Sequence, residues 1–330
     1  MNKSTILKKV IAGSLMALAM SPVATLATET LKWGHVYEAS TPYHEAAKYS
    51  AKKFEEYTDG RYKINVFPAS SLGKENALNE GLALGTVDII YTGVSFLKNS
   101  YAPITISNHP FVLKDFNHWK SYVKSDLFKE LASGYGKVSG NEIMSMVYYG
   151  QRQVTSNFPI LKPSDMKDLK IRVPNAPVFL LFPKAVGANP TPLAFSEVYL
   201  ALQQGVVDAQ ENPLPTIKFK KFHEVQSNIN LTGHITDSLT MIVSGNTLRK
   251  MSATDKTLLS KALKEGASMA TSEIRKQEKN LVEWFRSEGV TVNVVDRKPF
   301  IKAVAPYYRK AKDLPFTYKT YIRFMKTAKK

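Results

Sequence analysis

Two series of short apolar strands interleaved with helix-period segments limit this chain more than any other feature, because strands running parallel need a crossover, usually a helix, between them. "TLKWGHVYE" (residues 30–38) alternates as a strand does. "TPYHEAAKYSAKKFEEYTDG" spaces its apolar residues as a helix, with Thr41 as N-cap, Pro42 in the first turn and Gly60 as terminator. "RYKINVFPAS" is the next strand, "SSLGKENALNEGLALG" the next helix, and "TVDIIYTG" a short apolar strand. A second series opens with "NEIMSMVYYGQRQVTS" and continues through "PSDMKDLKIRVP", a helical "NAPVFLLFPKAVG", the pair "NPTPL", the helix "AFSEVYLALQQG" and "VVDAQENP". The fold class is therefore α/β, with two lobes built on mostly parallel sheet covered by helices. The amphipathic stretch 255–288 is longer than an ordinary packed helix and predicts a bent helix that braces both lobes.

The first thirty residues do not belong to that pattern. "MNKSTILKKVIAGSLMALAMSPVATLATET" carries Lys3, Lys8 and Lys9, then an apolar run from Val10 to Met20, then small residues with Thr25 and Ala27 placed for cleavage. This is the layout of a secretory signal peptide, residues 1–27, and it places the mature chain in the periplasm. The apolar run is too short to span a bilayer and no later run approaches about 18 apolar residues, so no membrane insertion of the mature chain is expected. With no cysteine, stability must come from the core, which a chain of 330 residues, 44% of them hydrophobic, is long enough to build.

Charge and motifs exclude several function classes. The formal net charge is +17, about +14 once the three leader lysines are gone, which favours capture of small anions. The basic residues are scattered, with doublets such as Lys52-Lys53 and Lys220-Lys221 rather than a stripe interleaved with aromatics, so no nucleic-acid partner is expected. Six histidines, at 35, 44, 109, 118, 223 and 234, form no HExxH and no close set with carboxylates, so no metal is expected. There is no GxSxG, no P-loop and no GxGxxG after the first strand, so no cofactor is expected.

Against that background "KIRVPNAP" stands out: Arg172 lies between Ile171 and Val173 in a strand that ends at Pro174. Such an arginine either pairs with a neighbouring acid or reaches into a cleft to hold an anion. "YYGQRQVTSN" places Arg152 just after a strand and a glycine, and two arginines converging from strand ends suit one carboxylate, which the planar guanidinium grips with parallel charge-assisted bonds. Asn212, in "DAQENPL", sits at a strand end before Pro213, a place that serves equally for a ligand contact or a turn.

"LKIRVPNAP", "GANPTPLAFSEVYLALQQGVVDAQENP" and "KFHEVQSNINLTGHI" resemble the core signature of the solute-binding proteins of tripartite ATP-independent periplasmic (TRAP) transporters, DctP type. "FPASSLGKE", "YYGQRQVTSN" and "KKFHEVQ" fall in the family's order, so the likeness covers essentially the whole mature chain. The resemblance implies a periplasmic-binding-protein fold of two α/β lobes joined by crossing strands and a long helix, closing on one organic acid and delivering it to membrane permease subunits. The lobes are expected at 28–149 with 237–277, and at 150–236 with 278–330. It further implies that Arg172 binds the ligand carboxylate, that Arg152 is its second cationic partner, and that Asn212 bonds the same group. Phe195, in "AFSEVY", packs against the ligand on this reading, though by spacing alone it is as readily a core aromatic.

Sialic-acid binders of the family carry an Asn after the first strand and an acidic residue after the third, where this chain has "GHVYE" and "YTGVS". The first-lobe residues His35, Glu38, Lys74, Glu75, Tyr91 and Thr92 are read instead as groups that bond the hydroxyls of a smaller acid, each with an ordinary packing role as the alternative. "WGHVYEASTPYH", "FPASSLGKE" and "DIIYTG" look most like the subgroup that binds hexuronates such as D-glucuronate and D-galacturonate. The competing readings are another sugar acid or a dicarboxylate, a secreted enzyme on acidic sugars using His35, Glu38 and Glu211, and a binding protein that serves a sensor.

Overall fold

The apolar residues Leu31 and Trp33 alternate with Thr30 and Lys32 along the first strand and point one face of it into the core. This strand, β1 (Glu29–Gly34), pairs in parallel with β2 (Tyr62–Phe67) and β3 (Ile89–Gly93). The computed structural model describes residues 28–309 and 314–329, so the leader assigned to 1–27 lies outside the described residues. Further along come β4 (Glu142–Ser156), β5 (Lys170–Val173), β6 (Asn189–Pro192), β7 (Ala209–Pro213), β8 (Asn228–Val243) and β9 (Thr291–Val294). They form one mixed sheet in the order β2-β1-β3-β8-β4-β7-β5-β6, with β9 added beside β8.

The sheet is parallel at its two wings and antiparallel in the middle. β5 runs parallel to β6 and β7, while β8 is antiparallel to β3, and β4 is antiparallel to both β7 and β8. β4 and β8, at 15 and 16 residues, belong to both wings and span about 50 Å each. Their pairing is broken by register shifts at Tyr148/Gly150 and Arg152/Val154, the second taking the partner from Ile235 to Asn230. Such irregularities bend strands and re-aim side chains. Gly150 has φ +117°, and a Cβ there would lie 2.7 Å from the Pro213 side chain, so glycine is required at this turn of the strand.

Helices cover the sheet. Thr41 caps the helix Pro42–Tyr57 by accepting from His44 N at 3.3 Å, and the C-cap is Thr58, two positions before Gly60, with its hydroxyl donating to Phe54 O at 2.7 Å. The stretch "NAPVFLLFPKAVG" is not one helix: Pro177 and Pro183 lack amide donors, and it divides into a 3-10 turn Pro177–Leu180 and a short helix Leu181–Ala185. The long amphipathic stretch is one continuous helix, Ala253–Ser287, about 50 Å in length. Its stripe Leu259, Leu263, Gly266, Ala270, Ile274 and Leu281 is buried, and it packs along both the Pro42–Tyr57 helix and β4. At Gly266 the two helices approach so closely that a Cβ would fall 2.0 Å from Ser50 Oγ and 2.7 Å from Ala46 O. Glu278, further along, accepts from Gln151 N at 2.9 Å and Tyr148 Oη at 3.2 Å, tying the helix to β4 where its register shifts.

Candidate functional site

The irregular centre of β4 and β8 and the ends of β1, β3, β5 and β7 enclose two adjoining chambers. The outer one, about 290 Å³, is lined by Val36, Ser70, Lys74, Glu75, Phe96, Arg172, Asn175 and Phe195 among others. The inner one, about 30 Å³, shares Val36, Glu75, Phe96, Arg172 and Phe195 and adds Tyr37, Tyr149, Arg152, Asn212 and Asp237. A larger cavity of about 750 Å³ lies elsewhere, between Lys98, His109, Pro177 and Tyr307, and no opposing charges converge on it.

The two arginines in the inner chamber are in opposite situations. Arg152, 2% exposed, gives Nη1 to Asp237 Oδ2 at 2.7 Å and Nη2 to Glu211 Oε1 at 2.8 Å and Glu211 O at 2.7 Å, while Nε donates to Glu211 Oε2. Burial alone would lower its pKa, but Glu211 and Asp237 outweigh burial and raise it. Glu211 also accepts from His234 Nε2 at 3.0 Å, and His234 stacks on Phe182 with ring centroids 4.1 Å apart. Burial pushes the Glu211 carboxyl up, yet Arg152 and His234 together bring it below the usual range. Asp237, bonded by Arg152, the Asn108 amide and Ser238 N, is pushed up by burial on balance. Arg152 is thus already neutralised by protein.

Arg172, 1% exposed, is not. Its Nε and Nη2 donate to Leu193 O at 3.0 and 2.6 Å, and Nη1 is buried with no hydrogen-bond partner among the described residues. No ion pair joins it to a carboxylate among those residues. Burial, with Arg152 adding to it against the attraction of Glu211, brings its pKa down to about 10. A buried guanidinium with an unfilled donor facing a cavity costs several kcal/mol unless something anionic completes it.

Asn212 is held in the inner wall: its Nδ2 donates to Gln210 Oε1 at 2.7 Å, and its Oδ1 accepts from Arg152 Nη2 at 3.3 Å and Tyr149 Oη at 3.4 Å. Phe195 lines both chambers, its ring 5.9 Å from that of Tyr37. Lys74 lines the outer chamber and pairs with Glu197. Glu75, at the start of the helix Glu75–Leu84, lines both chambers; burial raises its carboxyl to about 7 against the pull of Arg172, the Gly93 amide and Arg152.

Arg172, Arg152, Asn212, Phe195, Lys74 and Glu75 are therefore brought together, and four other sequence-derived candidates are not. His35 is buried, with Nε2 and His44 Nδ1 at 3.1 Å; burial, and then His44, lower its pKa to about 3. Tyr91 is fully buried with its ring 5.1 Å from that of Trp33. Thr92 Oγ1 accepts from Asn79 Nδ2 at 3.0 Å beneath the surface. Glu38 pairs with Lys220 at 2.6 Å. β1 ends at Gly34, so His35, Val36, Tyr37 and Glu38 follow it as irregular chain without a strand's alternation, and there the adjacent Val36 and Tyr37 line the inner chamber while His35 is buried against His44. Tyr37, Tyr149 and Asp237 were the residues the sequence reading missed. Tyr149 adjoins Gly150 in "YYGQR", and Asp237 lies in "NINLTGHITDSLTMIV", an alternating run that is β8.

Among the described residues there is no group of side chains arranged to hold a metal ion and no helix long and apolar enough to cross a membrane. Comparisons with known proteins agree with this architecture. The family model for bacterial extracellular solute-binding proteins of family 7, DctP, matches residues 33–313. The sialic acid-binding periplasmic protein SiaP of Vibrio cholerae is 37% identical over 297 residues, covering 90% of this chain and 92% of that protein. A TRAP periplasmic solute-binding protein from Polaromonas bound to D-erythronate superposes with a TM-score of 0.86 at 31% identity, covering 90% of this chain and 98% of the other. One from Roseobacter denitrificans with bound L-galactonate gives 0.84 at 30% identity, covering 91% and 99%. The chain belongs to the DctP family of TRAP solute-binding proteins, a family of binding receptors rather than enzymes.

Proposed function

We propose that this protein is a periplasmic receptor that captures a small sugar acid and hands it to TRAP permease subunits. The observation that carries the reading is that Arg172, which lines both chambers, keeps a buried Nη1 without a hydrogen-bond partner among the described residues. The ligand carboxylate takes that donor; Asn212 and the one Nη1 hydrogen of Arg152 not given to Asp237 border the same space. One charge-assisted bond supplies about 1.5–3 kcal/mol, so a micromolar site, about 8 kcal/mol, draws most of its affinity from hydroxyl contacts and from stacking on Phe195 and Tyr37.

The ligand we favour is a hexuronate such as D-glucuronate or D-galacturonate. The outer chamber, about 290 Å³, lies at the low end of small-molecule sites and fits a six-carbon acid better than a nine-carbon one. Relatives with bound D-erythronate and L-galactonate support the wider class of hydroxy acids. The hinge lies at the register shifts of β4 and β8, with lobes at 28–149 with 237–277 and at 150–236 with 278–330. The leader 1–27 exports the chain.

A thermal-shift screen of the mature protein against D-glucuronate, D-galacturonate, galactonate, sialic acid and C4-dicarboxylates tests this. Ligand at about a thousandfold over its Kd adds roughly 4 kcal/mol, a rise of several degrees. A rise with hexuronates above all others supports the ligand; a rise with sialic acid or a dicarboxylate alone overturns it and leaves the receptor; no rise with any acid overturns both.

A further inference from the structure

Two arginines in one cleft suggest a site for a dianion, yet the charge around the chambers argues otherwise. Arg152 is shared between Glu211 and Asp237, so these three groups together carry no positive surplus. Arg172 contributes, among the described residues that line the chambers, the buried cation with a vacant donor. Opposite it, on the first turn of the Glu75–Leu84 helix, Glu75 lines the same two chambers and adds a third acid. We infer that Glu75 is the residue that restricts the site to acids bearing a single carboxylate: it takes a ligand hydroxyl and repels a second carboxylate. This rests on the reading of Arg172 as the anchor of the first carboxylate.

The groups that face Glu75 come from every side of the site: Arg172 on β5, Arg152 on β4, Asp237 on β8, the Gly93 amide at the end of β3, and Tyr37 beyond β1. Once a ligand carboxylate neutralises Arg172, Arg152 with its two ionised acids leaves one net negative charge, and ionised Glu75 doubles it. A second ligand carboxylate then meets Glu75 and Asp237 on the chamber walls with no vacant cation. Lys74, the nearest other cation at the outer chamber, is engaged by Glu197. Burial holds Glu75 near pH 7, so its repulsion grows as the pH rises through that value.

The test uses two pairs of open-chain acids that share a carbon chain and differ in one terminal carbon: galactonate with galactarate, and gluconate with glucarate. Titration calorimetry at pH 8 should show each dicarboxylate binding at least about tenfold more weakly than its partner, the effect of about one pKa unit of charge interaction. The gap should narrow at pH 6. Glu75→Gln, which keeps shape and hydrogen bonding, should shrink the gap at pH 8 to about threefold or less and remove its pH dependence. A circular-dichroism melt checks that the variant folds, with Glu75→Ala as the second variant. Dicarboxylates binding within about threefold of their partners in both pairs overturn the inference while leaving the receptor reading intact, as does a gap that Glu75→Gln does not change. Absence of binding by all four acids overturns the receptor reading first and this inference with it.

Discussion

Replacing Arg152 by alanine should damage the fold before it damages ligand recognition. Arg152 holds Glu211 through both ends of its guanidinium and Asp237 through Nη1 at 2.7 Å, and all three side chains are nearly inaccessible. Removing it strands two buried acids, with His234 at 3.0 Å from Glu211 as the remaining polar neighbour on that side. Breaking a buried pair from one side costs about 3–5 kcal/mol. In a chain of this size each kcal/mol moves Tm by about 2 °C, so Arg152→Ala should melt at least about 6 °C below wild type. Arg152→Lys should fall between the two, because one ammonium cannot reproduce the fork on Glu211 and still reach Asp237. Differential scanning calorimetry without ligand reads the effect. An Arg152→Ala protein that melts within about 2 °C of wild type would refute the charge accounting.

Three further outcomes follow from other parts of the molecule. Gly266→Ala should destabilise by about 1–3 kcal/mol in urea unfolding, since the new Cβ falls 2.0 Å from Ser50 Oγ; a neutral effect would mean the two helices can separate freely. Acid should weaken the fold well above the carboxylate range. Burial, and then His44, hold His35 at about 3, and burial, and then Lys98, hold His109 at about 3. The unfolded chain therefore binds more protons below pH 6.5, so stability is lost as pH falls. Each histidine costs about 2 kcal/mol between pH 7 and pH 5, opposed by about 2 kcal/mol from Glu75, whose raised carboxyl takes up a proton in the folded state; an NMR titration in which His35 or His109 protonates near 6.5 would contradict their buried, neutral state. Breaking the exposed Lys74–Glu197 pair with Glu197→Ala should change stability by less than about 1 kcal/mol, and a larger loss in urea unfolding would show it to be more than a surface pair.

Much of the architecture was legible in the chain because helix and strand periods are local signals. Thr41, Pro42 and the apolar spacing after them specify one helix, and "KIRVP" specifies a short strand with an arginine in it. What was not legible was long-range pairing. β8 sits between β3 and β4, so the antiparallel middle of the sheet depends on β4–β8 partners as far apart in the chain as Glu142 and Val243. The site shows the same division. Arg172, Arg152 and Asn212 announced themselves as polar residues in apolar strands. Which arginine is neutralised depended on Asp237, supplied by a strand whose neighbours only the fold reveals. His35, Tyr91 and Thr92 are buried away from the chambers, and the irregular chain after β1 presents Val36 and Tyr37 to the cleft, a path that no strand or helix period encodes.

The central claim is that Arg172 is the vacant cation that anchors the ligand. Its most direct test is titration calorimetry on wild type and Arg172→Ala with the sugar acid that shifts Tm most, beside ligand-free melts of both. Arg172→Ala removes a buried cation and leaves no carboxylate stranded, so the account predicts that binding falls below detection while Tm stays within about 2 °C of wild type. Affinity retained within about threefold, with the same unchanged Tm, would contradict it.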